Sequence, residues 1–157
     1  MFANWKKKIC SKREAGRTQV AAEANKQLIR RYYEEFWNQW RFDLADELVE
    51  AEVRFRGSIG RMVVGRGGLV GYMKHMQGIF PDLYNTIEML VAEDNHVAAQ
   101  LSYSGTHRGE IFGIAATERR IRYSGVGIFQ IASGKIIEGW VLGDLASLLL
   151  QLRPDGP

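Results

Sequence analysis

Two residues of this 157-residue chain have the type and setting for proton transfer. His107 ends the run Gly105-Thr106-His107, and Asp144 follows Gly134-Lys135-Ile136-Ile137-Glu138-Gly139-Trp140 after three further residues. An imidazole exchanges protons near neutral pH, and a desolvated carboxylate can serve as a general base. Strand alternation puts Val97, Ala99, Leu101, Tyr103, Gly105 and His107 on one face, so the imidazole closes an apolar row. The same rule puts Ile136, Glu138, Trp140, Leu142 and Asp144 on one face, which sets the carboxylate beside an indole and a leucine and predicts a raised pKa. A structural reading of Asp144 competes: it directly precedes Leu145-Ala146-Ser147-Leu148-Leu149-Leu150, where aspartate is a strong helix N-cap. A cap would hold the carboxyl ionised and lower its pKa.

The elements that must position these groups are readable from periodicity. From Leu28 the apolar residues Ile29, Tyr32, Tyr33, Phe36, Trp37 and Trp40 fall three and four apart, predicting an amphipathic helix with Glu34 and Glu35 outside. A short helix is expected over 44–50 with Asp43 as N-cap, then a strand over 53–56 broken by Gly57-Ser58-Ile59-Gly60. Gly65-Arg66-Gly67-Gly68 leads into a helix carrying Leu69, Tyr72, Met73, Met76 and Ile79, which Phe80-Pro81 ends. Strands are expected over 87–93, 97–107, 121–131 and 135–142, joined by Asp94-Asn95 and Ala132-Ser133-Gly134, with a terminal helix after them. Helices followed by a meander predict an α+β fold with a curved antiparallel sheet, and glycines at 125, 127, 139 and 143 fit strong bending.

These motifs, with Phe80-Pro81-Asp82 and the run from Asn25 to Trp40, occur in an order that resembles the SnoaL-like polyketide cyclase, or ester cyclase, family of the nuclear transport factor 2-like superfamily. The resemblance covers roughly residues 25–152. It implies a cone-shaped fold, helices packed on a curved sheet around an apolar pocket. It also implies intramolecular aldol-type ring closure of a polyketide-like ester without metal or cofactor. Asp144 then takes the place of the family's acid/base aspartate and His107 that of its G-T-H histidine, with Tyr33, Phe36, Tyr103 and Trp140 as pocket wall. The chain departs from the family where Ala115-Ala116-Thr117-Glu118-Arg119 replaces P-P-T-G-K, and where Val53-Arg54-Phe55-Arg56-Gly57-Ser58 lacks a histidine. Alternatives are a dehydratase, isomerase or epoxide hydrolase on the same fold, or a non-catalytic module that binds a small ligand.

Length, charge and cysteine use narrow the remaining classes. The chain suits one domain, read as a basic tail over 1–17 and a SnoaL-like domain over 18–157. The tail carries +5 of the net +3 charge, leaving −2 on the remainder, which argues against a nucleic-acid reader. No window approaches the ~20 apolar residues of a membrane span, and the expectation is a cytoplasmic protein with no membrane partner. The lone Cys10 permits no intrachain disulfide, and His75, His96 and His107 lack metal-ligand spacing. Gly65-Arg66-Gly67-Gly68 has neither a dinucleotide fingerprint nor a P-loop lysine, so no cofactor is expected. The expected partners are a small apolar or aromatic substrate and, through an exposed sheet face, a second copy in a homo-oligomer such as a dimer.

Overall fold

The computed structural model describes residue 16 and residues 19–153, so the expected tail boundary lies outside the described residues. Helix α1 spans residues 19–31 and continues as a π-helical turn, Tyr32–Trp37. This turn directs Tyr32, Tyr33, Phe36 and Trp37 inward together, and Asn38 N–H donates to Tyr33 O at 2.9 Å to close it. A 3₁₀ turn, Phe42–Leu44, precedes the short α2, Ala45–Leu48. Asp43 does not cap that helix. Its carboxylate instead accepts from Arg41 at 2.7 Å and 3.0 Å. Strand β1 is Val49–Arg56, β2 is Met62–Val64 and α3 is Gly65–Ile79. The second half is β3, Tyr84–Glu93; β4, His96–Thr106; β5, Arg120–Ala132; β6, Lys135–Gly143; and α4, Leu145–Leu152.

The fold is α+β, a curved and unclosed sheet with helices against its inner face. Strand order is β2-β1-β6-β5-β4-β3. All neighbours are antiparallel except β1 and β6, which run parallel, so the sheet is mixed. That one parallel pairing joins strands far apart in sequence and lays the early half of the chain beside the late half. The β5–β6 turn needs left-handed backbone at both Ser133 (φ 50°) and Gly134 (φ 74°), as a tight hairpin does.

Inward residues of the sheet alternate between aromatics and glycines. On β5, Tyr123, Gly125, Gly127 and Phe129 face in, while Ser124, Val126 and Ile128 face out. Phe129 is fully buried and pairs in register with Gly139 of β6. A side-chain carbon on Gly139 would stand 2.8 Å from the Phe55 ring and 3.1 Å from that of Phe129, so only glycine leaves space for both rings. Phe129 also meets Tyr32 and Tyr33 edge-on, with centroids 5.5 Å and 5.9 Å away, a favoured aromatic geometry. The core thus consists of rings from α1 seated in notches that the sheet leaves open. Among the described residues, no helix is long and apolar enough to cross a membrane.

Candidate active site

Between α1, α3 and the inner face of the sheet lies a cavity of about 20 Å³. The π turn contributes Tyr33 and Trp37, β1 contributes Phe55, and the loop after it Ser58. Helix α3 supplies Tyr72 and Met76; Leu83 and Asn85 close one side. Tyr103, Tyr123 and Val141 rise from β4, β5 and β6. The wall is aromatic, but four phenol hydroxyls, one serine and one amide give it polar points. Asn85 is held rigidly: Asn38 Oδ1 accepts from its backbone N–H and its side-chain amide, both at 2.8 Å, and Asn38 Nδ2 donates to its carbonyl at 2.9 Å.

Burial sets the electrostatics. Desolvation pushes the hydroxyl pKa of Tyr33, Tyr103 and Tyr123 well above its ordinary value, with neighbouring tyrosines adding to the rise. Tyr72 is raised for the same first reason, against Ser58 and nearby backbone that favour its anion. The four phenols therefore remain neutral, which makes them hydrogen-bond donors and not bases. Ser58 Oγ lies 3.5 Å from the Tyr123 hydroxyl. The hydroxyls of Tyr33 and Tyr103 have no hydrogen-bond partner among the described residues. Leaving such a group buried and unpaired costs about 1–3 kcal/mol.

The family model for SnoaL-like polyketide cyclases matches residues 27–152. The chain belongs to the SnoaL-like polyketide cyclase family. Among solved structures it is similar to a protein from Jannaschia sp. CCS1 that is named a SnoaL-like polyketide cyclase, at 20% identity and TM-score 0.78, covering 87% of this chain and 95% of that one. IdmH from Streptomyces antibioticus, by its name a polyketide cyclase, is 25% identical with TM-score 0.72, covering 82% and 97%. AclR from Streptomyces galilaeus, named a hydroxylase, is 25% identical with TM-score 0.73, covering 87% and 86%. One fold thus carries names for different reactions. A search of curated protein sequences finds no significant match.

Within this SnoaL-like frame the residues expected to form one site separate. Tyr33 and Tyr103 line the cavity as expected. Phe36 is fully buried but packs into the core beside Tyr32, centroids 5.5 Å apart, and is not part of the cavity lining. Trp140 is on the opposite, outer face of the sheet, 37% exposed, with the Arg56 guanidinium 5.3 Å from its ring. Asp144 is exposed, and its carboxylate accepts from Ser147 N–H at 3.0 Å at the start of α4. It borders an open outer groove of about 330 Å³ with Gln100, Ser124, Val126 and Leu142. The capping geometry is present, and the expected desolvated setting is not. The cause is a bulge: Gln130 pairs with Glu138 but Ile131 with Ile136, so Ile137 has no opposite residue and the parity of β6 reverses there. Glu138, Trp140 and Leu142 do share a face, but it is the outer one.

His107 is completely buried at the end of the β4 row, as its alternation predicts, yet it does not line the cavity. Its ring packs against Phe80, centroids 5.7 Å apart. Nδ1 accepts from Thr117 N–H at 3.3 Å and lies 3.0 Å from Thr117 Oγ1. Because the backbone donor can only give, the proton of the neutral ring belongs on Nε2. Main-chain bonds from His107 N–H to Arg119 O (2.9 Å) and from Glu118 N–H to His107 O (3.0 Å) complete the clamp on the loop between them. Burial holds the imidazole pKa below its ordinary value, opposed by the Gly109 backbone and Glu118. Asp82 does comparable work nearby: burial favours its neutral form, but Thr106 N–H (2.6 Å) and the Thr106 hydroxyl (2.8 Å) outweigh it and hold the carboxyl below its usual pKa.

Tyr123, Ser58 and Asn85 are polar wall residues not expected at the site, and Tyr72 is expected only as a member of the apolar stripe of its helix. A signal for them exists in the sequence. Gly57 leaves space for the Tyr72 hydroxyl, which would stand 2.0 Å from an added side-chain carbon, and Gly143 leaves space for the edge of Tyr123 at 3.1 Å. Glycines recurring at inward positions mark where rings from other elements intrude. Among the described residues no group of three histidine, cysteine, aspartate or glutamate side chains is arranged to hold a metal ion.

Proposed function

We propose that this chain is a cofactor-independent cyclase that closes a ring in a small, polyketide-like ester within the tyrosine-lined interior, using neutral phenol donors. The observation that carries this reading is the set of buried donors without a hydrogen-bond partner in a largely aromatic wall, the hydroxyls of Tyr33, Tyr72 and Tyr103 and the Trp37 indole nitrogen. The enol form of an activated methylene attacks a carbonyl carbon of the same molecule. A carbon–carbon bond forms as the carbonyl π bond breaks, and in the same step a phenol passes its proton to the new alkoxide oxygen while taking one from the enol oxygen. Substrate and product are isomers, and no tyrosine needs to ionise, which agrees with the raised hydroxyl pKa values. Donors fixed in a dry site stabilise the developing oxygen charge, and the walls hold the chain in a near-attack geometry. A cavity of about 20 Å³ accepts little more than one water, so substrate entry requires the rings to swing aside.

In this reading Asp144 caps α4 and His107 holds the loop over 107–119, and neither is assigned the proton-transfer step. Among the described residues the wall contains no carboxylate or imidazole, which favours a second reading, a binding module that holds a ligand without turnover. Incubating the protein with β-keto esters that bear a pendant ketone, and following isomerisation at constant mass, separates the two. Accumulation of a cyclised isomer above the buffer rate supports the cyclase; saturable binding with no isomer supports the module.

We further propose that a second copy covers the outer sheet face. Val91, Ala98, Ile128, Trp140, Arg56 and Met62 form one row across all six strands, and four of its apolar side chains are more than a third exposed. Isologous pairing of such a face gives a dimer. Sedimentation should show a dimer that Ile128→Lys converts to a folded monomer.

A further inference from the structure

Tyr33 and Tyr103 differ from the other phenols around the cavity in a way that points to a specific ligand atom. Tyr123 has Ser58 Oγ at 3.5 Å; the Tyr72 hydroxyl makes no hydrogen bond either, but Ser58 and the backbone of Ser58 and Ile59 are its polar neighbours. Tyr32, outside the lining, has the Trp37 indole as a polar neighbour. For Tyr33 and Tyr103 the polar groups that act on the hydroxyl are only other tyrosines. Both side chains are at least 96% buried, so bulk solvent does not reach them, and the cavity they line has space for little more than one water.

Their placement follows from two glycines. A side-chain carbon on Gly127 would stand 3.0 Å from the Tyr33 hydroxyl, and one on Gly125 would stand 2.9 Å from the Tyr103 hydroxyl. Gly125 and Gly127 are successive inward positions of β5, so the two hydroxyls sit over neighbouring sites along a single strand. Tyr33 arrives from the π turn and Tyr103 from β4, yet the glycines bring their polar ends to one stretch of backbone. A flat ligand lying along β5 would meet both.

We propose that the Tyr33 and Tyr103 hydroxyls form a donor pair that selects ligands presenting carbonyl or phenolate oxygen, with Gly125 and Gly127 keeping the space in which the pair points. This inference rests on the reading of the interior as the ligand site and adds the chemistry of what it selects. An oxygen-free ring of equal size would leave both donors unpaired, whereas an oxygen acceptor satisfies them. The discrimination expected from such donors is roughly 10-fold or more in affinity.

The test uses the full chain, with acetophenone and its oxygen-free counterpart α-methylstyrene, in which a methylene group replaces the carbonyl oxygen, as probes, and titrates quenching of tryptophan fluorescence, since Trp37 lines the cavity. The wild-type protein should prefer acetophenone by roughly 10-fold, and Tyr33→Phe and Tyr103→Phe should each erase most of that preference by weakening acetophenone binding far more than α-methylstyrene binding. Thermal unfolding without ligand supplies a second readout. Removing an unpaired buried hydroxyl should leave the melting temperature equal or higher, whereas loss of a structural hydrogen bond would lower it. Gly127→Ala should weaken acetophenone binding more than α-methylstyrene binding, because the added methyl displaces the Tyr33 hydroxyl. Equal affinity for the two probes in the wild type overturns the donor pair and leaves the interior as a ligand site. Absence of binding by either probe overturns the interior reading and the pair with it. A lower melting temperature in both Phe variants also overturns the pair, since the hydroxyls would then be structural.

Discussion

Ile128 and Phe129 are adjacent in sequence and lie on opposite sides of one sheet, and their surroundings obey different rules. Phe129 has no exposed surface and touches rings from α1 over a floor of glycine. Ile128 is 44% exposed in a row of apolar side chains on the outer face. Inside, shape is specified atom by atom, because interiors are close-packed and each ring needs its notch. Outside, the same strands offer area without complementary relief. The chemistry follows that division: neutral donors are gathered within, and the carboxylate of Asp144 is left without.

The sharpest way to break the comparison is to truncate the inner member. Phe129→Ala should lower stability by about 3–5 kcal/mol in denaturant unfolding, since the rings around it cannot collapse into the space. A cost below 1 kcal/mol would mean that the inner face is not tightly specified. Overfilling a notch is the complementary change. Gly139→Ala places a carbon 2.8 Å from the Phe55 ring and should cost about 1–3 kcal/mol, read in the same unfolding experiment.

How far the two faces were legible beforehand depends on the strand. On β4, unbroken alternation from Val97 to His107 matches the buried row, because the strand has no bulge and one face is entirely apolar. On β6 the same rule assigns Asp144 to a desolvated face, and it fails at Ile137, where one extra residue reverses parity. Nothing in the local sequence distinguishes that bulge, since Ile136 and Ile137 are both apolar. The parallel pairing of β1 with β6 is invisible for another reason: it depends on contacts across more than eighty positions and carries no local pattern. The cavity was half legible. Tyr33, Tyr72 and Tyr103 emerge from helical and strand periodicity, whereas that Tyr72 and Tyr123 turn toward one cavity requires knowing which glycines they overlie.

The buried imidazole gives a pH-dependent version of the contrast. His107 has a folded pKa below its ordinary value, mainly through burial, so the unfolded chain binds the proton more readily. Its contribution is complete above the unfolded pKa of about 6.5 and is lost as pH falls from there toward the folded value. Stability should therefore decline on acidification through this window, by at most about 1.4 kcal/mol per pH unit from this one group. His107→Gln should flatten that part of the profile in urea unfolding measured between pH 7 and pH 5. A slope unchanged by the substitution would assign the acid sensitivity to other groups.

The smallest expected effect belongs to Asp144, and it tests the outer face directly. Its carboxylate accepts from Ser147 N–H at 3.0 Å, so Asp144→Ala should cost about 1 kcal/mol through loss of the cap, whereas Asp144→Asn should change stability by only a few tenths because asparagine caps nearly as well. Isomerisation of the β-keto ester probes separates capping from chemistry. A base in the reaction would lose roughly 10²-fold or more in turnover on conversion to asparagine, since the amide cannot accept the substrate proton. With Asp144 exposed on the face opposite the tyrosine cavity, Asp144→Asn is expected to keep wild-type turnover, while Tyr103→Phe, which leaves the fold intact, lowers it. The reverse result, a folded Asp144→Asn protein that binds the probes and does not turn them over, would move the reacting centre to the outer groove between β5 and β6 and would make the inner tyrosines a packed core alone.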